Sequence, residues 1–168
     1  MLRQVVAADR HVLKNYREEP QQVLRPELAY LMTNLMEGVI NHGTGAGVRS
    51  RGFSLPAAGK TGTSRDGWFA GYTKDLLVIV WVGFDDGRDL NLGGARSALP
   101  IWTEFMKQAY QIHPPQRRSE MYFTPPPGIE FVRIDSTTLQ RATPSCNDAF
   151  EEAFIEGTAP LEECHVPD

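Results

Sequence analysis

Seven consecutive apolar residues, LLVIVWV from Leu76 to Val82, constrain the fold of this 168-residue chain more than any other stretch. Most of them are β-branched or aromatic, side chains that pack well on a pleated surface and lose rotamer freedom in a helix. An apolar run of this length without alternation predicts a strand covered on both faces, in the middle of a sheet with helices on either side. Two further strands are predicted just before it, one in DGWFAGYT (66–73) and one through Lys60, Thr61, Gly62 and Thr63. A small hairpin is predicted near the start, from the β-prone pairs Val5-Val6 and Val12-Leu13 on either side of Asp9-Arg10.

Two stretches change to the helical period. From Glu27 the apolar residues Leu28, Leu31, Met32, Leu35, Met36, Val39 and Ile40 recur at three- and four-residue steps, which predicts a helix with one buried face. Pro26 suits its first turn, where a missing N–H costs nothing, and NHGTG (41–45) supplies the residues that stop it. Pro100 opens a second amphipathic helix whose predicted buried stripe is Ile101, Trp102, Phe105, Met106, Ala109 and Tyr110. The class is α/β in texture, of the α+β kind, with an antiparallel sheet flanked by helices. After His113 the texture changes to PPQRR and TPPPG, so residues 1–112 read as one domain portion, 113–128 as a Pro-rich linker and 129–168 as an accessory tail.

Composition excludes some classes of function. A net charge of -4 gives no support to a nucleic-acid surface, and the basic spot at Gln116 to Arg118 reads as a solvated loop. The four histidines, His11, His42, His113 and His165, fall in no metal-ligand spacing, so no metal and no cofactor is predicted. No segment reaches the length of a membrane span. Cys146 and Cys164 lack C-x-x-C spacing; an oxidising compartment would allow them to pair and a reducing one would leave two thiols. Asp85-Asp86-Gly87 reads as a turn rather than an acid/base pair, and Trp68, Phe69, Trp81 and Trp102 read as core, with Trp68 near enough to Lys60 to line a cleft rim.

The stretch GKTGTS (59–64) first suggests a phosphate loop. The G-x-x-x-x-G-K-[ST] pattern needs glycine at position 54, where Ser54 stands, and Pro56 has no N–H to give to the cradle. The residues after it read as turn and strand, not as the helix whose N-terminus would face a phosphate. On a strand, Lys60 points to one side and the hydroxyls of Thr61 and Thr63 to the other, while Gly62 leaves the backbone bare for a second chain. A lysine, two hydroxyls and a strand N–H suit an extended peptide, a carboxylate and an oxyanion.

The ordered set K-T-G-T, WFAGYT, VWVGFDDG and LPIWTEFM, preceded by LRPELAYLM and EGVINHGTGAG, resembles the last third of the transpeptidase domain of class A penicillin-binding proteins, from about Val5 to Tyr110. The tail sequence EAFIEGTAP followed by a cysteine is similar to C-terminal extensions of that family. The resemblance implies a serine acyltransferase that cross-links peptidoglycan stem peptides ending in D-Ala-D-Ala and is acylated by β-lactams. Lys60 would face the serine of an S-x-N motif, Thr61 and Thr63 would bind the substrate or antibiotic carboxylate beside Gly62 and Trp68, and the Thr63 N–H would be an oxyanion donor. It also implies an extracytoplasmic location, anchored by a membrane segment outside this chain, and hence a Cys146–Cys164 pairing.

The sequence departs from the family at two of its three motifs. It contains no S-x-x-K, and its single S-x-N, Ser145-Cys146-Asn147, follows K-T-G instead of preceding it. An upstream part of the transpeptidase domain is therefore an implied partner, and the isolated chain is expected to be inactive. The competing class is a non-catalytic module that uses the same strand to hold wall peptides or a partner protein.

Overall fold

A computed structural model describes residues 4–15, 21–146 and 148–165. The chain forms a short antiparallel hairpin, β1 (Gln4–Val6) with β2 (Val12–Asn15), then helix α1 (Pro26–Asn41) and a single turn α2 (Gly47–Ser50). Strands β3 (Ala58–Thr63), β4 (Gly67–Tyr72) and β5 (Leu77–Val82) form an antiparallel sheet in that order, and α3 (Ala98–Ile112) follows. Beyond it, β6 (Ile129–Asp135) pairs with β7 (Ala149–Ile155) as a separate two-stranded sheet. The class is thus mixed helix and antiparallel sheet, as the sequence predicts. Among the described residues no helix is long and apolar enough to cross a membrane.

One face of the β3–β4–β5 sheet carries the core. Phe69 on β4 is buried there with Trp102, Leu99 and Met106 of α3, Ile40 at the end of α1, Val48 of α2, and Phe53 and Ala57 of the loop into β3. Trp102 joins the two layers: its indole N–H lies 3.2 Å from both the Gly71 and Val78 carbonyls, and its ring meets Phe69 edge-on at 5.1 Å and Phe53 at 5.7 Å. A Cβ on Gly71 would come within 2.8 Å of that ring, so the absence of a side chain lets the indole sit on the sheet.

Three burial expectations need correction. Strand β5 is not in the middle of the sheet but at its edge, and it alternates: Val78, Val80 and Val82 pack toward the core while Leu77, Ile79 and Trp81 are exposed. Both of its faces are apolar, so the run carries no alternation to read. Helix α1 buries only Ile40 fully, and Leu28, Met32 and Leu35 of its stripe stay in solvent, because the sheet covers only part of that face. In α3 the buried residues are Ala98, Leu99, Trp102, Thr103 and Met106, whereas Ile101 and Phe105 are exposed. The aromatic assignment splits likewise, with Phe69 and Trp102 in the core and Trp68 and Trp81 outside it.

The Pro-rich stretch folds back onto the domain. It forms a 3-10 turn (Arg118–Met121) with Met121 buried, Arg118 donates to the Ser54 carbonyl at 2.7 Å, and Phe123 packs edge-on against Tyr72 of β4. Phe131 of β6 in turn meets Tyr30 of α1. Cys146 and Cys164 form a disulfide across a separation of 18 residues, with Cα atoms 6.7 Å apart. A loop of this size contributes about 3 kcal/mol by constraining the unfolded chain, a large term for a two-stranded sheet that is marginal alone.

The loop before α3 approaches the sheet through bare backbone. A Cβ on Gly94 would fall inside the contact radii of the Trp68 and Gly62 carbonyl oxygens, and one on Gly67 would collide with Ser97. Gly94→Ala is therefore expected to lower unfolding stability by about 2 kcal/mol or more, while Gly38→Ala, inside α1 with nothing within 4 Å, should raise it by about 0.5–1 kcal/mol. Paired urea denaturation curves measure both.

Candidate functional site

Strand β3 is the other edge of the sheet, so one side of its backbone is unpaired among the described residues. It enters that position from a loop held by Arg49, whose guanidinium donates to Asn41 Oδ1 (2.9 Å) and to the carbonyls of Phe53 (3.0 Å) and Leu55 (2.7 Å). These bonds tie the end of α1 to the approach to β3. Burial lowers the Arg49 pKa and raises that of Glu37, and the attraction between the two opposes both shifts.

The register aligns Lys60 with Ala70, Thr61 with Phe69, Gly62 with Trp68 and Thr63 with Gly67. Period-two alternation therefore puts Lys60, Gly62 and Trp68 on one face, and Thr61 on the core face with Phe69. Lys60 is exposed, and its ammonium donates to the Thr61 carbonyl at 2.7 Å. Among the described residues it meets no carboxylate. A carbonyl that accepts from this side chain is one turned to the free edge instead of to β4, and in an antiparallel ladder the N–H and C=O of one residue share a side and alternate along the strand. The main-chain groups of Thr61 and Thr63 thus face the free edge, while those of Lys60 and Gly62 bond to β4. The Thr63 side chain lies outside what the structure describes.

Thr61 is nearly buried, and its hydroxyl lies 2.9 Å from that of Thr44. Thr44 sits in the loop after α1 between two constrained glycines. The Gly43 and Gly45 amides both bond to the Val39 carbonyl, and a Cβ on either would press on α1 backbone at about 3.0 Å. Sequence reasoning read NHGTG only as a helix stop; the signal available was a hydroxyl between two glycines in a stretch that already carried the family resemblance.

At Gly62 the space that the sequence suggests for a second chain is partly taken by the Trp68 side chain, whose Cβ would be 3.1 Å from an added methyl. Trp68 is 43% exposed and packs at 6.3 Å on Trp81 of β5. With Leu77 and Ile79 they make an apolar sheet face that begins at the Lys60 edge. Ser145, of the out-of-order S-x-N, bonds to Thr143 beside the disulfide, in the tail and not near β3; Asn147 lies outside the described residues. The five predicted residues Lys60, Thr61, Gly62, Thr63 and Trp68 therefore lie on the paired strands β3 and β4, with the Thr61 side chain on the face opposite Lys60 and Trp68, and the cysteine pair belongs to the tail.

The chain is similar to penicillin-binding protein 1A of Pseudomonas aeruginosa, with 38% identity over 148 residues that cover 83% of this chain and 17% of that protein. Penicillin-binding protein 1A of Escherichia coli is 41% identical over 125 residues, 62% of this chain and 14% of that protein. Penicillin-binding protein 2D of Bacillus subtilis is 31% identical over 170 residues, 96% of this chain and 24% of that protein. No family model matches the chain. A mixed antiparallel fold with an edge K-T-G-T strand, similar to several such proteins over most of its length, identifies a member of the penicillin-binding proteins. Within that family it corresponds to part of the transpeptidase domain of the class A group. It spans only 14–24% of the length of the relatives compared above.

An exposed face built from Leu77, Ile79, Trp68 and Trp81 favours association. Sedimentation velocity is expected to show reversible self-association that rises with concentration, and Leu77→Ser with Ile79→Ser should reduce it. A monodisperse monomer at high concentration that binds no apolar dye would contradict the openness of this face.

Proposed function

We propose that this chain is the K-T-G-T portion of a serine-type D,D-transpeptidase domain, which takes peptidoglycan stem peptides ending in D-Ala-D-Ala and is acylated by β-lactams. The observation that carries the reading is the edge of β3, which no described strand pairs and where the Lys60 ammonium, meeting no carboxylate among the described residues, donates to the Thr61 carbonyl. In the reaction a serine oxygen attacks the penultimate D-Ala carbonyl, the peptide C–N bond breaks, and terminal D-alanine leaves with the proton. The acyl group then passes to an acceptor amine.

The serine and its base come from S-x-x-K in a separate upstream segment, since the sequence here has none. Lys60 supplies positive charge to the serine, its S-x-N neighbour and the developing oxyanion. The Thr63 N–H is the oxyanion donor, and Thr61, Gly62, Thr63 and Trp68 form the wall that receives the peptide and its carboxylate. The names of the relatives support penicillin as a ligand, and the Cys146–Cys164 disulfide supports work on the extracytoplasmic side.

The test combines this chain with the upstream half of a compatible transpeptidase domain and follows fluorescent penicillin. The chain alone should form no covalent adduct. In the acylating complex, Lys60→Ala should slow acylation about a hundredfold, on the order of 3 kcal/mol, because the charge acts in a closed cleft. Lys74→Ala, an exposed lysine in the β4–β5 turn, should change it little, its charge being screened within about 8 Å. Equal effects of the two substitutions would make Lys60 a surface lysine, and stoichiometric labelling of the chain alone would show that the nucleophile has been misplaced.

A further inference from the structure

We infer that Thr44 is a positioning residue for the carboxylate-receiving edge of β3, fixing the Thr61 hydroxyl so that the pair keeps one O–H donor for the ligand. The inference rests on the proposed role of β3 and extends it to a loop outside the strand. Two hydroxyls 2.9 Å apart carry two protons and use one between them. Among the described residues neither oxygen has another partner. One O–H is thus left over for solvent or a ligand, since Thr44 is exposed, while the Lys60 ammonium, from the other face of the strand, spends one of its three donors on the Thr61 carbonyl. A carboxylate oxygen accepts such a proton, and its charge makes that bond stronger than one to water.

The loop geometry shows why the pair is fixed. Gly43 and Gly45 lie close against Val39 and Ile40, where an added Cβ would press at 3.0 Å, and their amides bond to the α1 carbonyls. The backbone of Thr44 is therefore set by the end of α1. On the other side, Thr61 is held by the strand register opposite Phe69. Chained hydroxyls polarise one another, so the outer proton is a better donor than that of a lone threonine. Without the Thr44 hydroxyl, the Thr61 proton is free to turn away from the edge.

The test is a residue-resolved NMR titration of the 168-residue chain with N-acetyl-D-alanyl-D-alanine and, separately, with its C-terminal carboxamide. The acid should shift the Thr61 and Thr63 amide resonances at lower concentration than the carboxamide does. Thr44→Val should weaken binding of the acid about fivefold, the loss of one modest hydrogen bond, with little change for the carboxamide, and Thr44→Ser should restore the preference. Retention of wild-type acid binding by Thr44→Val overturns the inference, as does an equal loss for acid and carboxamide, which is the pattern of a merely structural residue. If the wild-type chain fails to respond to the acid at all, the carboxylate reading of β3 falls, and the role of Thr44 falls with it.

Discussion

The fold depends on the seating of Trp102 on the β4–β5 pair. This one side chain crosses the gap between helix and sheet, places its N–H between two strand carbonyls, and presents its ring to Phe69 and Phe53. Full burial of a tryptophan contributes more apolar area than any other residue in this core, and its polar atom is satisfied as it goes in. The bare backbone at Gly71 is what admits it. Once α3 is seated, the core face of the sheet is closed, and the remaining freedom lies at the β3 edge and on the opposite face.

That division explains the arrangement of the candidate site. Thr61 points into the packed side, Lys60 out of it, and the backbone between them runs along an edge that no described strand pairs. The strand is held from behind by the Thr44 hydroxyl and from its entry side by Arg49. Rigid support of an unpaired edge is the condition under which main-chain donors can be aimed at a ligand without reorganising. The apolar face of Trp68, Trp81, Ile79 and Leu77 beside it is of the kind that another polypeptide segment covers.

Much of this was legible from residues alone. Hairpin, helix and strand positions follow from Pro26, the glycine-rich stops and the β-branched run, and the opposition of Lys60 and Thr61 follows from strand alternation. Burial was less legible. LLVIVWV has apolar residues on both faces, so nothing local distinguishes a central strand from an edge strand, and the stripes of α1 and α3 cannot say how much of each is covered. The contact of Thr44 with Thr61 joins residues 17 apart through a tertiary approach that no periodicity encodes. The docking of the Pro-rich stretch was likewise hidden, because composition reports extended backbone and not what Met121 and Phe123 touch.

The central claim is that β3 presents the main-chain groups of Thr61 and Thr63 to a free edge while those of Lys60 and Gly62 bond to β4. Residue-resolved amide hydrogen exchange on the dilute native chain tests it most directly, since protection reports which N–H groups are paired. The account predicts slow exchange at Lys60 and Gly62 and much faster exchange at Thr61 and Thr63. Equal protection at all four amides, or the opposite alternation, would contradict it.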